Sequence, residues 1–166
     1  MRRPSARRAL GARIRRHVLV VLLVLLFVLL FGAGCTTAPP VAPPAGFAVY
    51  DDPAAMRAVS PDGVRYRVRY AENDPEQSLE FWREALSLHL ERAGYGVLRE
   101  ESVTTPAGPG ALFEWVAPLG AAEWIYLTAV VPAGEKLIVA EAAGPADLYR
   151  AHRDALVMSL ETIGRE

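Results

Sequence analysis

The chain has 166 residues, and its net charge of −1 hides an asymmetry: seven of the 18 basic residues are arginines within the first 16 positions, while no acid precedes Asp51. From Cys35 onward, 11 basic residues face 19 acidic ones, a net charge of −8, which excludes an ordinary phosphate-neutralising nucleic-acid surface. A single cysteine excludes an internal disulfide and a cysteine-based metal site.

The arginine-rich start is followed by Val18 to Phe31, fourteen residues without a polar side chain. As a helix this run is ~21 Å long, short of the ~30 Å hydrocarbon core. A basic stretch, an apolar run and small residues at the exit predict a secretory signal peptide over residues 1–34. The string FGAGCTT then resembles the lipobox of bacterial lipoproteins, although Gly32 stands where that family usually has Leu. The resemblance implies cleavage before Cys35, acylation of its thiol and amine, and a palmitate-bearing anchor in the cell envelope. That anchor lies either on the outer side of the cytoplasmic membrane or on the periplasmic face of an outer membrane. Several acyl chains on one residue give stable attachment where one chain gives only marginal binding. Residues 35–46 then carry TTAPPVAPPAG, whose four prolines predict a semi-rigid spacer in polyproline geometry.

Residues 47–166 predict one globular domain. Phe47 to Tyr50 and Met56 to Ser60 read as short strands, and Ser60-Pro61-Asp62-Gly63 as a turn. In Val64 to Tyr70, apolar or aromatic residues alternate with Arg65, Arg67 and Arg69, the period of a strand with one buried face. Asp74-Pro75-Glu76-Gln77 predicts a helix start, with Gly94 as its stop. Leu79, Trp82, Leu86, Leu90 and Ala93 form the inward stripe of that helix. Strands follow at about 96–104, 111–117, 123–131 and 137–142, joined by short Gly- and Pro-containing turns. A last helix opens at Gly144-Pro145 and carries Tyr149, Leu156, Leu160 and Ile163 on its inner stripe. This order predicts an α+β fold, an antiparallel β-sheet meander packed against two main helices.

The start GFAVY, the SPDG turn, the helix FWREALSLHLERAGY and the closing LYRAHRDALVMSLETI resemble the PsbP-like families. These include an extrinsic photosystem II protein and a Ran-binding import factor. The resemblance covers about residues 46–163 and implies a PsbP-like sandwich acting as a non-enzymatic accessory or binding domain. It carries no catalytic motif, and no family functional residue is transferred.

The residues themselves point the same way. There is no G-x-S-x-G, and His89 and His152 stand singly, without zinc-binding spacing. No cofactor and no metal is expected. Arg65, Arg67 and Arg69 form a basic stripe with side chains ~6.6–7 Å apart. The stripe reads either as a site for an acidic partner or as cross-strand pairing with the domain's own glutamates. Trp115 and Trp124 flank a turn and read either as an exposed partner-binding patch or as core. Three functions stay open. The first is a membrane-tethered, non-catalytic domain with an envelope protein partner. The second is a binder of a small apolar ligand or lipid between helix and sheet, and the third is a hydrolase with an unrecognised site.

Overall fold

The computed structural model describes residues 37–117 and 122–165. The signal segment, Cys35 and the Pro118-Leu119-Gly120 turn lie outside them. Seven strands form one sheet: β1 Ala48–Tyr50, β2 Ala55–Val59, β3 Arg65–Glu72, β4 Gly96–Thr105, β5 Gly108–Ala117, β6 Trp124–Ala133 and β7 Lys136–Pro145. Two helices accompany it, α1 Leu79–Arg92 and α2 Ala146–Leu160. The strand order is β1-β2-β3-β7-β6-β5-β4, and each neighbouring pair is antiparallel. The domain is therefore α+β, an antiparallel sheet with two helices. After β3 the chain crosses one face of the sheet through α1, enters β4 at the far edge, and returns by a four-strand meander that seats β7 against β3.

Strand periodicity divides the apolar residues between two faces. On one face Val64, Tyr66, Val68, Leu112, Leu127 and Ala140 meet Tyr149, Leu156, Leu160 and Ile163 of α2 and its end. On the other, Ala111, Phe113, Trp115, Val130, Leu137 and Val139 meet Leu90 of α1. The helices thus cover opposite faces of one shared sheet. Their fit differs: α2 buries five of its residues, whereas α1 buries Leu90 alone. Leu79, Trp82 and Leu86 of α1 are only partly buried, so α1 stands off its face. Gly144 is needed for closeness, because a Cβ there would meet Val64 Cγ2 at 2.9 Å.

The SPDG turn forms as expected, with the Gly63 amide donating to the Ser60 carbonyl at 3.1 Å and Gly63 at φ +96°. The start of α1 differs from the expectation at Asp74. Its N-cap is Ser78, whose hydroxyl accepts from the Phe81 amide at 3.2 Å. The residues before it are drawn into a loop by buried Asn73, whose amide donates to the Gly134 carbonyl at 2.7 Å. Asn73 Oδ1 accepts from the Gln77 amide at 3.0 Å and from Trp82 Nε1 at 2.8 Å. Sequence spacing around Asp74 carries no trace of that long-range competitor. At the other end Gly94, at φ +88°, closes the helix as expected.

The proline-rich stretch also differs from a free spacer. The Ala38 amide donates to the Pro53 carbonyl at 3.0 Å, and the Gly164 amide donates to the Pro40 carbonyl at 2.8 Å. The Ala42 amide donates to Thr162 Oγ1, while its carbonyl accepts from Ser159 Oγ at 2.6 Å. Pro39 and Pro44 are buried, and Val41 packs on the α2-side core. Polyproline geometry leaves backbone groups unpaired, and the Pro53 carbonyl together with α2 and its end supplies the missing partners.

Candidate binding face

Arg65, Arg67 and Arg69 alternate with core residues on β3, so all three project on the α1 side of the sheet. The register adds a fourth arginine: Arg57 on β2 lies directly opposite Arg67. Like charges across a strand pair repel, so this arrangement costs stability unless anions compensate. Two carboxylates do so in part. Asp52 holds Arg57 Nε at 2.7 Å, and Glu141 on β7 lies 3.9 Å from Arg67 Nε and 3.6 Å from Arg69 Nε. These latter distances exceed the ~2.7–2.9 Å of a charge-assisted hydrogen bond, and both Nε atoms are buried without a hydrogen-bond partner. Arg65 is exposed and makes no ion pair among the described residues. Four guanidiniums therefore face two carboxylates on a domain that is otherwise acidic.

The stripe borders an open cleft of about 350 Å³, walled by Tyr50, Arg57, Arg65, Arg67, Tyr126 and Glu141. A second cavity, of about 400 Å³, continues under α1 and shares Tyr126 and Glu141 with the first. Trp82, Leu86 and Leu90 form its roof, and Val130, Leu137 and Val139 its floor. At the junction the Tyr126 hydroxyl donates to Glu141 Oε1 at 2.7 Å. Burial, opposed by a Thr128 hydrogen bond and reinforced by the Glu141 bond and charge, pushes the Tyr126 phenol up to about 12, so it stays a donor at neutral pH. Thr128, buried beside Tyr126, belongs to the same lining.

The two tryptophans separate. Trp115 is fully buried and stacks on Phe113 with ring centroids 5.3 Å apart. It is core, and it forms no exposed patch with half-buried Trp124. Phe113, Trp115 and Tyr126 of this hairpin share the sheet face on which α1 packs. His89 sits on α1 at the wall of the cavity under it. His152 lies on the opposite side of the sheet, its Nε2 2.9 Å from Asp62 Oδ1. No three potential metal ligands converge among the described residues.

Sequence reasoning missed one cluster. Glu114, in the middle of β5 and 2% exposed, accepts from Tyr149 Oη and from Arg153 Nε, each at 2.7 Å. Arg99 Nε adds a contact at 3.3 Å, and Arg153 also reaches Glu101 at 2.9 Å. This network ties α2 to β5 and β4. Its only signal was a lone acid inside the apolar run ALFEWVA.

The fold and face together define an antiparallel α+β domain with a basic, partly apolar groove on one side. No family model and no curated protein matches the chain. Among solved structures it is similar to PA94, a Pseudomonas aeruginosa protein of unknown function described as a regulator candidate. That likeness has a TM-score of 0.51 at 7% identity and covers 72% of this chain and 96% of that one. At that identity it bears on the fold alone.

Proposed function

We propose that this chain is a lipid-anchored cell-envelope protein, and that its PsbP-like domain is a non-catalytic binding module using the arginine face for an acidic partner. The observation that carries the binding role is the surplus of Arg57, Arg65, Arg67 and Arg69 over Asp52 and Glu141, beside an open cleft. The anchoring half of the reading rests on the basic and apolar N-terminus ending at Cys35. A lipid- or small-ligand-binding role draws support from the cavity under α1.

Both halves are testable in one preparation. Mass spectrometry of the native protein should find an acylated Cys35 at the mature N-terminus, and Cys35→Ser should release the domain from the membrane fraction. An intact Met1 with a free thiol would end the anchoring half. Arg65→Glu, at an exposed and unpaired position, should abolish in-cell crosslinking to the partner without changing the melting temperature. Undiminished crosslinking would end the binding half.

A further inference from the structure

We propose that the groove on the α1 side binds a single-chain alkyl phosphate monoester, its chain beneath α1 and its phosphate on Arg67, Arg69 and Arg65. This rests on the arginine face being a binding surface and names the ligand class for it. Three observations converge on that chemistry.

The first is the space. An ordinary amphipathic helix buries a stripe of apolar residues, yet α1 buries Leu90 alone and leaves about 400 Å³ between itself and the sheet. That volume falls within the range of small-molecule sites. Its roof and floor are mainly apolar side chains. A peptide there would bury backbone N–H and C=O groups without partners. Strands β3, β7 and β6 beneath it are paired on both sides and offer no free edge. An alkyl chain has no such groups.

The second is the charge at the mouth. The Arg67 and Arg69 side chains are 41% and 31% exposed, their buried Nε atoms make no hydrogen bond, and Glu141 holds neither closely. Arginine forks match phosphate oxygens in a bidentate way. A phosphate monoester offers three terminal oxygens and up to two charges to neighbouring forks, where a carboxylate offers two oxygens and one charge, which favours phosphate.

The third is continuity. The basic cleft and the apolar cavity meet at Tyr126 and Glu141, so one molecule can span both. Thr128, 3% exposed and beside Tyr126, gives the cavity a hydroxyl near that junction.

The test uses the unit Thr36–Glu166, which contains both hydrophobic clusters and all seven strands. Dodecyl phosphate, inorganic phosphate, laurate and dodecyl maltoside are titrated by calorimetry below their micelle concentrations. Dodecyl phosphate should bind one to one, at least tenfold tighter than each of the others. Ala85→Phe, which fills the cavity, should weaken dodecyl phosphate at least tenfold and leave inorganic phosphate unchanged. His89→Trp, at the exposed wall, should do the same should Ala85→Phe disturb the fold. Arg67→Gln with Arg69→Gln should weaken both phosphates. Equal binding of dodecyl maltoside, tighter binding of laurate, or indifference to both cavity-filling variants overturns the assignment. In the last case, retained sensitivity of inorganic phosphate to Arg65→Glu keeps the arginine face as a binding surface. Loss of that sensitivity removes the underlying reading as well.

Discussion

At the residue scale, the sharpest energetic asymmetry lies between two glutamates one strand apart. Glu114 is buried and ties Tyr149, Arg153 and Arg99 together, whereas Glu101 meets Arg153 and Arg99 with its side chain 42% exposed. Removing a buried ionic partner strands the remaining groups and costs several kcal/mol, while an exposed pair contributes about 0–1 kcal/mol. Glu114→Ala should therefore lower stability by about 3 kcal/mol, and Glu101→Ala by less than about 1 kcal/mol, read by urea denaturation. Tyr149 also depends on Glu114, since burial, and then the bond and charge of Glu114, hold its phenol protonated far above the usual range.

Asp62 gives the residue-scale pH prediction. Its hydrogen bond from Ser60, then its contact with His152, hold its carboxyl below the usual carboxylate range. A depressed folded-state value means that the unfolded chain binds the proton more readily. The stabilisation is present above the unfolded value, about 4, and fades as pH falls through the lower folded one. The melting-temperature gap between wild type and Asp62→Asn should be open at pH 6 and closed near pH 2. A gap that persists unchanged at pH 2 would assign it to lost packing or geometry rather than to charge.

At the scale of elements, the stretch from Ala38 to Gly46 behaves as part of the fold. The Ala38 and Ala42 amides donate to Pro53 and Thr162, and Val41 rests on the core. In a free polyproline spacer these amides would exchange at the rate of an open chain. Hydrogen-exchange mass spectrometry should instead show the 38–42 segment protected nearly as well as the end of α2. Ser159→Ala, which removes the donor to the Ala42 carbonyl, should raise its exchange selectively. Protection equal to that of an unstructured peptide would return the segment to the status of a spacer.

At the scale of the whole molecule, both hydrophobic clusters share one sheet, so neither helix face can melt alone without exposing the other side of the same strands. Trp82, Trp115 and Trp124 all lie on the α1 side or its helix. Leu156, fully buried, lies under α2 on the opposite side. Leu156→Ala should cost about 2–5 kcal/mol, and the tryptophan fluorescence midpoint should move together with the far-ultraviolet dichroism midpoint. Separate midpoints would show two independently melting faces.

Much of the architecture was legible from residue order. Val64 to Tyr70 alternates, and a period of two cannot serve a helix, so β3 and its two faces followed directly. The inner stripe of α2, that of α1 from Leu79 to Leu90, and the Gly94 stop followed from the helical period and from backbone sterics in the same way, whereas Ala93, placed on that stripe, is exposed at the end of α1. These are local properties, decided within a few residues by geometry that the chain carries with it. Tertiary structure alone decided the rest. It set Arg57 against Arg67 through strand register, and it seated the proline stretch on α2. It also moved the α1 cap to Ser78 through Asn73, buried Trp115 while leaving Trp124 at the rim, and held α1 off the sheet over an apolar cavity. Each of these depends on groups far apart in sequence meeting at hydrogen-bond or van der Waals distance, and no short-range periodicity encodes which distant partner arrives.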